Sequence, residues 1–261
     1  MSREVDLVAD LGEGYGDWTM GDDAALLEIV TSANIACGFH AGDPRIMDRT
    51  VAECVRLGVR IGAHPSFPDL VGFGRRAMDL TENEVRTDLL YQLGALSAFA
   101  AYHGARVAHV APHGRLGNLV ATRPDYARAV VDAVSHVDPT LRILAQDGEL
   151  ADAARASGIA VGIVGIADRA YEDDGTLVPR SQPGAVIHDA GEIAARTVRM
   201  VTEGVIESRN GVSIPVAVDT VLLHGDTPAA VELARRIRTE LDAAGVVIAA
   251  PAIAHEAEAL Q

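Results

Sequence analysis

Short apolar runs and longer amphipathic stretches alternate along nearly the whole chain. The short runs have the length and composition of strands, and the longer stretches have the pattern of helices. Strands are predicted at 4–11, 32–38, 60–64, 106–112, 141–146, 160–167 and 218–224, with a last apolar run at 245–250. Helices are predicted at 44–57, 82–102, 124–136, 148–157, 190–203 and 228–243. This regular alternation indicates parallel strands joined by helical crossovers.

The number of strand–helix units fits a closed barrel. Seven or eight units in 261 residues predict an α/β fold, a TIM-barrel-like (β/α) barrel of seven or eight parallel strands, formed by a single domain over 1–261. Two excursions interrupt the repeat. One spans 168–188, where a lid over the barrel mouth would be attached. The other spans 205–216 around the hairpin signal Asn210-Gly211.

Capping signals mark where several helices begin. Asp43-Pro44 and Thr227-Pro228 each place a capping side chain before a proline at the first helical position. Thr81, followed three residues later by Glu84, resembles a capping box. These signals support helices that begin at 44, 82 and 228.

Four predicted strands end on histidine, and the first ends on carboxylates. The histidines are His40, His64, His113 and His224, and the carboxylates are Asp10 and Glu13. Because the carboxyl ends of parallel strands meet at one mouth of a barrel, we expect these side chains to surround one cavity. Taken singly, each could equally be a hydrogen-bonded structural group. As a set they could bind a metal such as Zn²⁺ or supply acid and base without one, and both alternatives stay open.

Strand parity predicts which side chains face the barrel interior, because successive residues point to opposite faces. The apolar set of the first strand should face the helices, which leaves the other set inside. The predicted inward residues are Asp6, Val8 and Asp10 in the first strand, and His109, Ala111 and His113 in the fourth.

Arginines near the predicted mouth are candidates for binding an anionic group. Arg75 and Arg76 follow the third strand in a glycine-rich loop, where they could clamp a carboxylate or simply be solvated. Asp168 and Arg169 begin the predicted lid, Pro179–Gly184 lie within it, and both segments could close on a substrate.

Composition excludes several function classes. All 22 basic residues are arginine, so a lysine Schiff base, a lysine-held pyridoxal phosphate and a P-loop nucleotide site are ruled out for this chain acting alone. Any ATP is therefore expected on another subunit. The net charge of −15 argues against nucleic acid and anionic membranes as partners. The absence of a signal-peptide pattern and the two cysteines, Cys37 and Cys54, lead us to expect a cytoplasmic protein.

Several of these strings resemble the LamB/YcsF family, and the match runs from about residue 4 to 243. The matching segments are Asp6–Gly14, Ser32–Pro44, Gly62–Pro65, Asp69–Arg76, Tyr91–Leu96, Pro112–Gly114, Ala167–Tyr171, Val178–Ala185 and His224–Asp226. The resemblance implies a barrel related to the glycoside hydrolase/deacetylase group. It also implies a 5-oxoprolinase that opens 5-oxo-L-proline to L-glutamate, with ATP used through partner subunits B and C.

The strand-end pattern and the resemblance together give a candidate site. The candidate catalytic residues are Asp10, Glu13, His113 and Asp168. The candidate substrate-binding residues are Asn34, Arg75, Arg76, Arg169 and His224. A divalent metal, if bound, is expected on His40 and His64 with Asp10. The expected ligand is a small molecule, and a homo-oligomer is compatible with the sequence.

The chain departs from the family pattern at three positions of the predicted site. Val8 stands where the family usually has Asn, Ala111 where it has Lys, and Gly117 where it has Tyr. Arg115 adds a cation beside them, and Gly117 is expected to enlarge the pocket. Two alternatives to a 5-oxoprolinase follow. One is a metal-dependent, deacetylase-like amidohydrolase of carbohydrate metabolism that works without ATP, and the other is a divergent paralogue that only binds ligand.

Overall fold

Seven parallel strands close into a barrel. A computed structural model describes residues 3–227 and 229–252. Its strands are β1 (Glu4–Leu11), β2 (Ser32–Ala36), β3 (Arg60–His64), β4 (Val107–Val110), β5 (Arg142–Ala145), β6 (Val161–Ile166), β7 (Val205–Glu207), β8 (Ser213–Pro215), β9 (Thr220–Leu223) and β10 (Val247–Ile248). The ring runs β1-β2-β3-β4-β5-β6-β9 and closes because β9 also pairs with β1. The predicted barrel is therefore confirmed, with seven strands, and β10 pairs with the start of β1 outside the ring.

Helices follow most strands of the barrel. They are α1 (Asp23–Leu27), α2 (Pro44–Leu57), α3 (Glu82–Tyr102), α4 (Gly114–Val120), α5 (Pro124–Val137), α6 (Glu149–Ala156), α7 (Ala190–Thr202) and α8 (Ala230–Ala243). The six longer helices were predicted, whereas the short α1 and α4 were not. The predicted start at Thr227-Pro228 falls partly on Pro228, which lies outside the described residues. No helix in the described ranges is long and apolar enough to cross a membrane.

The predicted caps act where helices leave the barrel mouth. Asp43 accepts hydrogen bonds from the main-chain N–H groups of Arg45 and Ile46, which satisfies donors that have no partner inside α2. Thr81 and Glu84 form a capping box at the start of α3. These caps fix the points at which the loops after β2 and β3 turn back into helices.

Both predicted excursions adopt local antiparallel structure. β7 and β8 form a hairpin around the turn at Asn210-Gly211. In the 168–188 segment, Arg169 bridges to Val186 and Tyr171 bridges to Leu177. The 168–188 segment lies at the mouth, since Leu177, Pro179 and Arg180 line a cavity of about 420 Å³ there.

Candidate active site

The loops at the carboxyl ends of the strands enclose a cavity of about 420 Å³. Asp10, His64, His113 and His224 all line it, although they come from four different strand ends. Its volume lies within the range of small-molecule sites, which is ~300–1,000 Å³. The strand-end residues are therefore brought to one place.

Four residues form a compact cluster at one side of the cavity. Glu13, His40, His64 and His113 are buried, and each offers one nitrogen or oxygen atom within 4.8 Å of the other three. His40 Nε2 lies 3.1 Å from Glu13 Oε1, and the His40 ring stacks on His113 with centroids 3.8 Å apart. The cluster is a set of donor atoms in a dry environment.

Main-chain carbonyls determine the tautomers of two cluster histidines. His64 Nδ1 donates to the carbonyl of Ala111 at 2.6 Å, and His113 Nε2 donates to that of Phe73 at 2.9 Å. The two remaining ring nitrogens then face each other at 2.9 Å. Two neutral imidazoles would oppose lone pairs at this distance. A proton or a cation must therefore lie between His64 and His113.

Burial and local charge shift the pKa values of the two carboxylates at this side of the cavity in opposite directions. Burial opposes ionisation of Asp10. The charge of His64 and the hydrogen bond to His64, which lies 3.3 Å away, outweigh the effect of burial and hold the Asp10 pKa below its usual range. Burial and the nearby negative charge of Asp10 raise the pKa of Glu13 well above its usual range. Burial lowers the pKa values of His40 and His113. These effects favour the ionised form of Asp10 and the protonated form of Glu13.

A polar row inside the barrel positions Asp10. The sheet register aligns Asp10 with Asn34, Asn34 with Gly62, and Gly62 with His109. His109 Nε2 donates to Asn34 Oδ1 at 2.8 Å, and the Asn34 amide donates to Asp10 at 2.9 Å. The His109 ring reaches Asn34 across β3 only because Gly62 has no side chain, since a Cβ there would lie 1.8 Å from His109 Nε2. Burial lowers the His109 pKa to about 3 and keeps the ring neutral.

A second carboxylate–histidine pair lies on the lid side of the cavity. His224 Nδ1 lies 2.8 Å from one oxygen of Asp168 and 2.9 Å from the other. Arg180 of the lid segment donates to His224 Nε2 at 3.1 Å. Because arginine cannot accept a hydrogen bond, these partners assign the His224 proton to Nδ1 and a lone pair to Nε2. Asp168 therefore orients the ring, and Arg180 covers its free nitrogen.

The three candidate anion-binding arginines are placed differently. Arg75 lines the cavity, and its guanidinium donates to Asp226 at 2.7 Å. Arg169 also lines the cavity but donates to two lid carbonyls, those of Ala185 and Val178. Arg76 instead pairs with the buried carboxylate of Asp69 in its own loop. Arg76 is therefore engaged outside the cavity.

All three departures from the family pattern line the cavity. Val8 and Ala111 present apolar side chains to it, as the parity argument predicts. At Gly117 a Cβ would lie 2.4 Å from the Pro112 carbonyl, so no side chain fits there on this backbone. A larger residue at 117 would therefore require the main chain around Pro112 to shift.

The chemistry of the cluster fits a divalent metal. Three imidazole nitrogens and one carboxylate oxygen form a set that suits Zn²⁺. The carbonyls bound to His64 and His113 are the outer partners that metal-ligating histidines usually have. His40 Nδ1, by contrast, is buried without a hydrogen-bond partner among the described residues. The sequence predicted that a metal would lie on His40 and His64 with Asp10. In the structure, Glu13 and His113 complete the cluster with His40 and His64, and Asp10 lies beside it.

Sequence reasoning left three residues out of the candidate site. The parity argument placed His109 inside the barrel but did not connect it to Asn34. Asp226 follows a strand-end histidine directly, and Arg180 lies in the predicted lid, so their positions were available as signals. Their partners Arg75 and His224 are distant along the chain, which hid the contacts.

A family model described as the LamB/YcsF family matches residues 5–256. The A-type subunit of 5-oxoprolinase from Nocardia farcinica is 53% identical over 247 residues, which cover 94% of this chain and 98% of that protein. The A-type subunit of 5-oxoprolinase from Rhodopseudomonas palustris strain BisB5 is 51% identical over 247 residues, with 94% and 97% covered.

Solved structures agree with the fold. A lactam utilization protein from Thermus thermophilus superposes with a TM-score of 0.90 at 44% identity, covering 95% of this chain and 100% of that one. A putative cellobiose-phosphate cleavage protein from Enterococcus faecalis V583 superposes with a TM-score of 0.58 at 12% identity, covering 95% and 97%. The second likeness concerns the fold alone.

Proposed function

This chain belongs to the LamB/YcsF family, and we propose that it hydrolyses a cyclic amide as the A component of a 5-oxoprolinase. The reaction would open 5-oxo-L-proline to L-glutamate. The observation that carries the proposal is the buried cluster of carboxylates and histidines beside a cavity of ligand size. The names of the relatives support the choice of substrate.

Glu13 is the proton donor in this proposal. Hydrolysis of a lactam requires a stabilised carbonyl oxygen, a deprotonated water and a protonated leaving nitrogen. Burial and the nearby charge of Asp10 raise the pKa of Glu13 well above its usual range, which favours its protonated form. The pKa values of Glu13 and Asp10 are pushed apart, as is typical of an acid beside a carboxylate that stays ionised.

His224 is the general base in this proposal. Its Nε2 lone pair lies at the cavity while Asp168 holds Nδ1–H, which is the arrangement of a carboxylate-oriented histidine base. Arg180 donates to the same nitrogen, so the lid must shift before His224 can accept a proton from water.

His64 and His113 stabilise the developing negative charge on the carbonyl oxygen in this proposal. Both line the cavity, and a proton shared between their facing nitrogens places a positive charge there. Asp10 balances that charge from 3.3 Å and is itself held by Asn34. Asn34 therefore acts by positioning Asp10.

A divalent ion is part of the proposal as an alternative occupant of the cluster. Glu13, His40, His64 and His113 would hold it. When bound, such an ion polarises a carbonyl and lowers the pKa of a bound water. The shared proton and the divalent ion would each place positive charge at the same end of the cavity.

ATP is assigned to partner subunits in this proposal. The chain has no lysine with which to build a P-loop. We therefore propose that partner subunits of the B and C type use the ATP. We also propose a cytoplasmic location for the assembly.

Reconstitution tests the proposed function. The purified chain, candidate partners of the B and C type, ATP and 5-oxo-L-proline are combined, and glutamate is measured. We expect glutamate only from the complete mixture. Glu13→Gln should lower the rate ~10²–10⁴-fold, the usual contribution of a positioned acid. Arg128→Met, on the exposed face of α5 and paired with Glu82, should leave it unchanged. No glutamate from folded wild-type protein in the complete mixture would contradict the proposal.

The histidine-rich cluster favours one second candidate. A metal-dependent amidohydrolase that deacetylates a sugar would need the ion but neither ATP nor partners. Chelator-sensitive release of acetate from N-acetylated sugars by the chain alone would support it. Failure of both assays would leave ligand binding without catalysis.

A further inference from the structure

One arginine of the cavity has no partner among the described residues. Four arginines line the cavity, namely Arg75, Arg115, Arg169 and Arg180. Arg75 pairs with a carboxylate, Arg169 with carbonyls and Arg180 with a histidine nitrogen. Arg115 makes no side-chain hydrogen bond or ion pair within the described part of the chain, although its Nε is buried. A buried donor without a partner is costly, so it indicates a group that is supplied from outside the chain.

The main chain fixes Arg115 close to the reacting groups. Arg115 lies two residues after His113 in the sequence, and its main-chain N–H donates to the carbonyl of Gly74 at 2.9 Å. Asn118, one helical turn later, lines the same cavity, and so does Gln146 from the loop after β5. A guanidinium and two amides therefore line the same cavity, and all three offer N–H donors.

The cavity around Arg115 strengthens its attraction for an anion. Apolar side chains of Val8, Ala111, Leu144, Val164 and Leu222 line the interior of the cavity. Charge interactions are stronger where such walls exclude water. At about 420 Å³ the cavity is also of the size that small-molecule sites usually have.

We propose that Arg115 binds the carboxylate of the substrate and selects anionic amides over neutral ones. This inference rests on the proposed function for the identity of the amide. It assigns the role that the sequence suggested for Arg75 or Arg76 to a different arginine. Arg75 is already neutralised by Asp226, and Arg76 is engaged by Asp69.

Ligand binding tests the role of Arg115 without turnover. The full chain is titrated calorimetrically with 5-oxo-L-proline and with its neutral amide, in the absence of ATP and partner subunits. We expect wild type to prefer the acid and Arg115→Met to lose ~10–100-fold in affinity for it, as for one charged hydrogen bond. Affinity for the amide should not change. Arg115→Lys should keep part of the preference, and Arg128→Met should behave as wild type.

Three results would overturn the proposal. Arg115→Met, shown to be folded by its circular dichroism, could bind the acid as tightly as wild type. Arg75→Met could remove the preference while Arg115→Met keeps it. Wild type could bind neither ligand, or both equally. The test is separate from that of the proposed function, because acid binding that depends on Arg115 without glutamate formation would leave the subsite standing and reject the hydrolase.

Discussion

Replacing Gly62 by alanine should disrupt the polar row that holds Asp10. The new Cβ would lie 1.8 Å from His109 Nε2, whereas ordinary contacts begin at 3.4 Å, so the ring must retreat by about 1.6 Å. The hydrogen bond between His109 and Asn34, now 2.8 Å, cannot survive that displacement. The Asn34 oxygen would then be buried without its donor.

The expected cost combines three effects. Overpacking a core usually costs ~1–3 kcal/mol, and a buried unsatisfied acceptor costs ~1–3 kcal/mol. Alanine is favoured over glycine within a strand by ~0.5–1 kcal/mol, which offsets part of the loss. Gly62→Ala should therefore lower the free energy of unfolding by about 3 kcal/mol.

Urea denaturation at constant pH measures this cost, and a double-mutant cycle identifies its cause. In a His109→Ala background the new methyl group has space, so Gly62→Ala should change the free energy of unfolding by less than ~1 kcal/mol. Gly94→Ala is the control, because Gly94 lies in α3 and a Cβ there would meet nothing within 4 Å. This substitution should raise the free energy of unfolding by ~1 kcal/mol. An equal cost of Gly62→Ala in both backgrounds would refute the steric explanation.

Further predictions concern pH, metal and the departures from the family pattern. Burial and the nearby Asp22 raise the pKa of Asp23 to about 6, against a hydrogen bond from Gly12 N–H. The stability that Asp23 contributes is complete below pH ~4 and is lost as the pH rises through 6. In urea titrations above pH 6, the free energy of unfolding of Asp23→Asn should therefore rise by up to ~3 kcal/mol relative to wild type. A constant difference between the two proteins from pH 4 to 7 would reject this. If the cluster holds a divalent ion, elemental analysis should find near-stoichiometric metal in wild type and far less in His113→Ala; chelator-insensitive turnover by metal-free protein would leave direct acid–base chemistry. Restoring the usual family residues with Val8→Asn and Ala111→Lys should raise ATP-dependent 5-oxoproline hydrolysis by ~10-fold, or ~1.4 kcal/mol, and a wild type already at full rate would show these residues to be dispensable.

Periodicity and capping chemistry made the barrel predictable. The barrel strands and six longer helices carry long, repeated patterns, and Asp43 and Thr81 cap their helices as the sequence indicates. The short helices α1 and α4 were missed because five to seven residues give too little periodicity, and α4 also contains Gly114 and Gly117. Element type thus follows from local pattern when the element is long.

Side-chain partners across the barrel were not predictable from one sequence. Parity placed His109 inward, but its contact with Asn34 depends on the relative register of β2 and β4 and on the missing side chain at Gly62. The carbonyl of Phe73 reaches His113 through a loop in which Phe73 has a φ of 54°. Such contacts depend on tertiary geometry, which alternation of apolar and polar residues does not encode.

The polar row also restricts how the barrel strands can pair. If β3 slipped by one residue, Ile61 or Ala63 would replace Gly62 between Asn34 and His109, and a side chain would fill the path of the imidazole ring. Buried Asp10, Asn34 and His109 would then lose partners together, and such groups are expensive to bury unpaired. An alternative barrel of similar hydrophobicity is thereby disfavoured. The residues that hold Asp10 thus also select one alignment of four neighbouring strands while the chain folds.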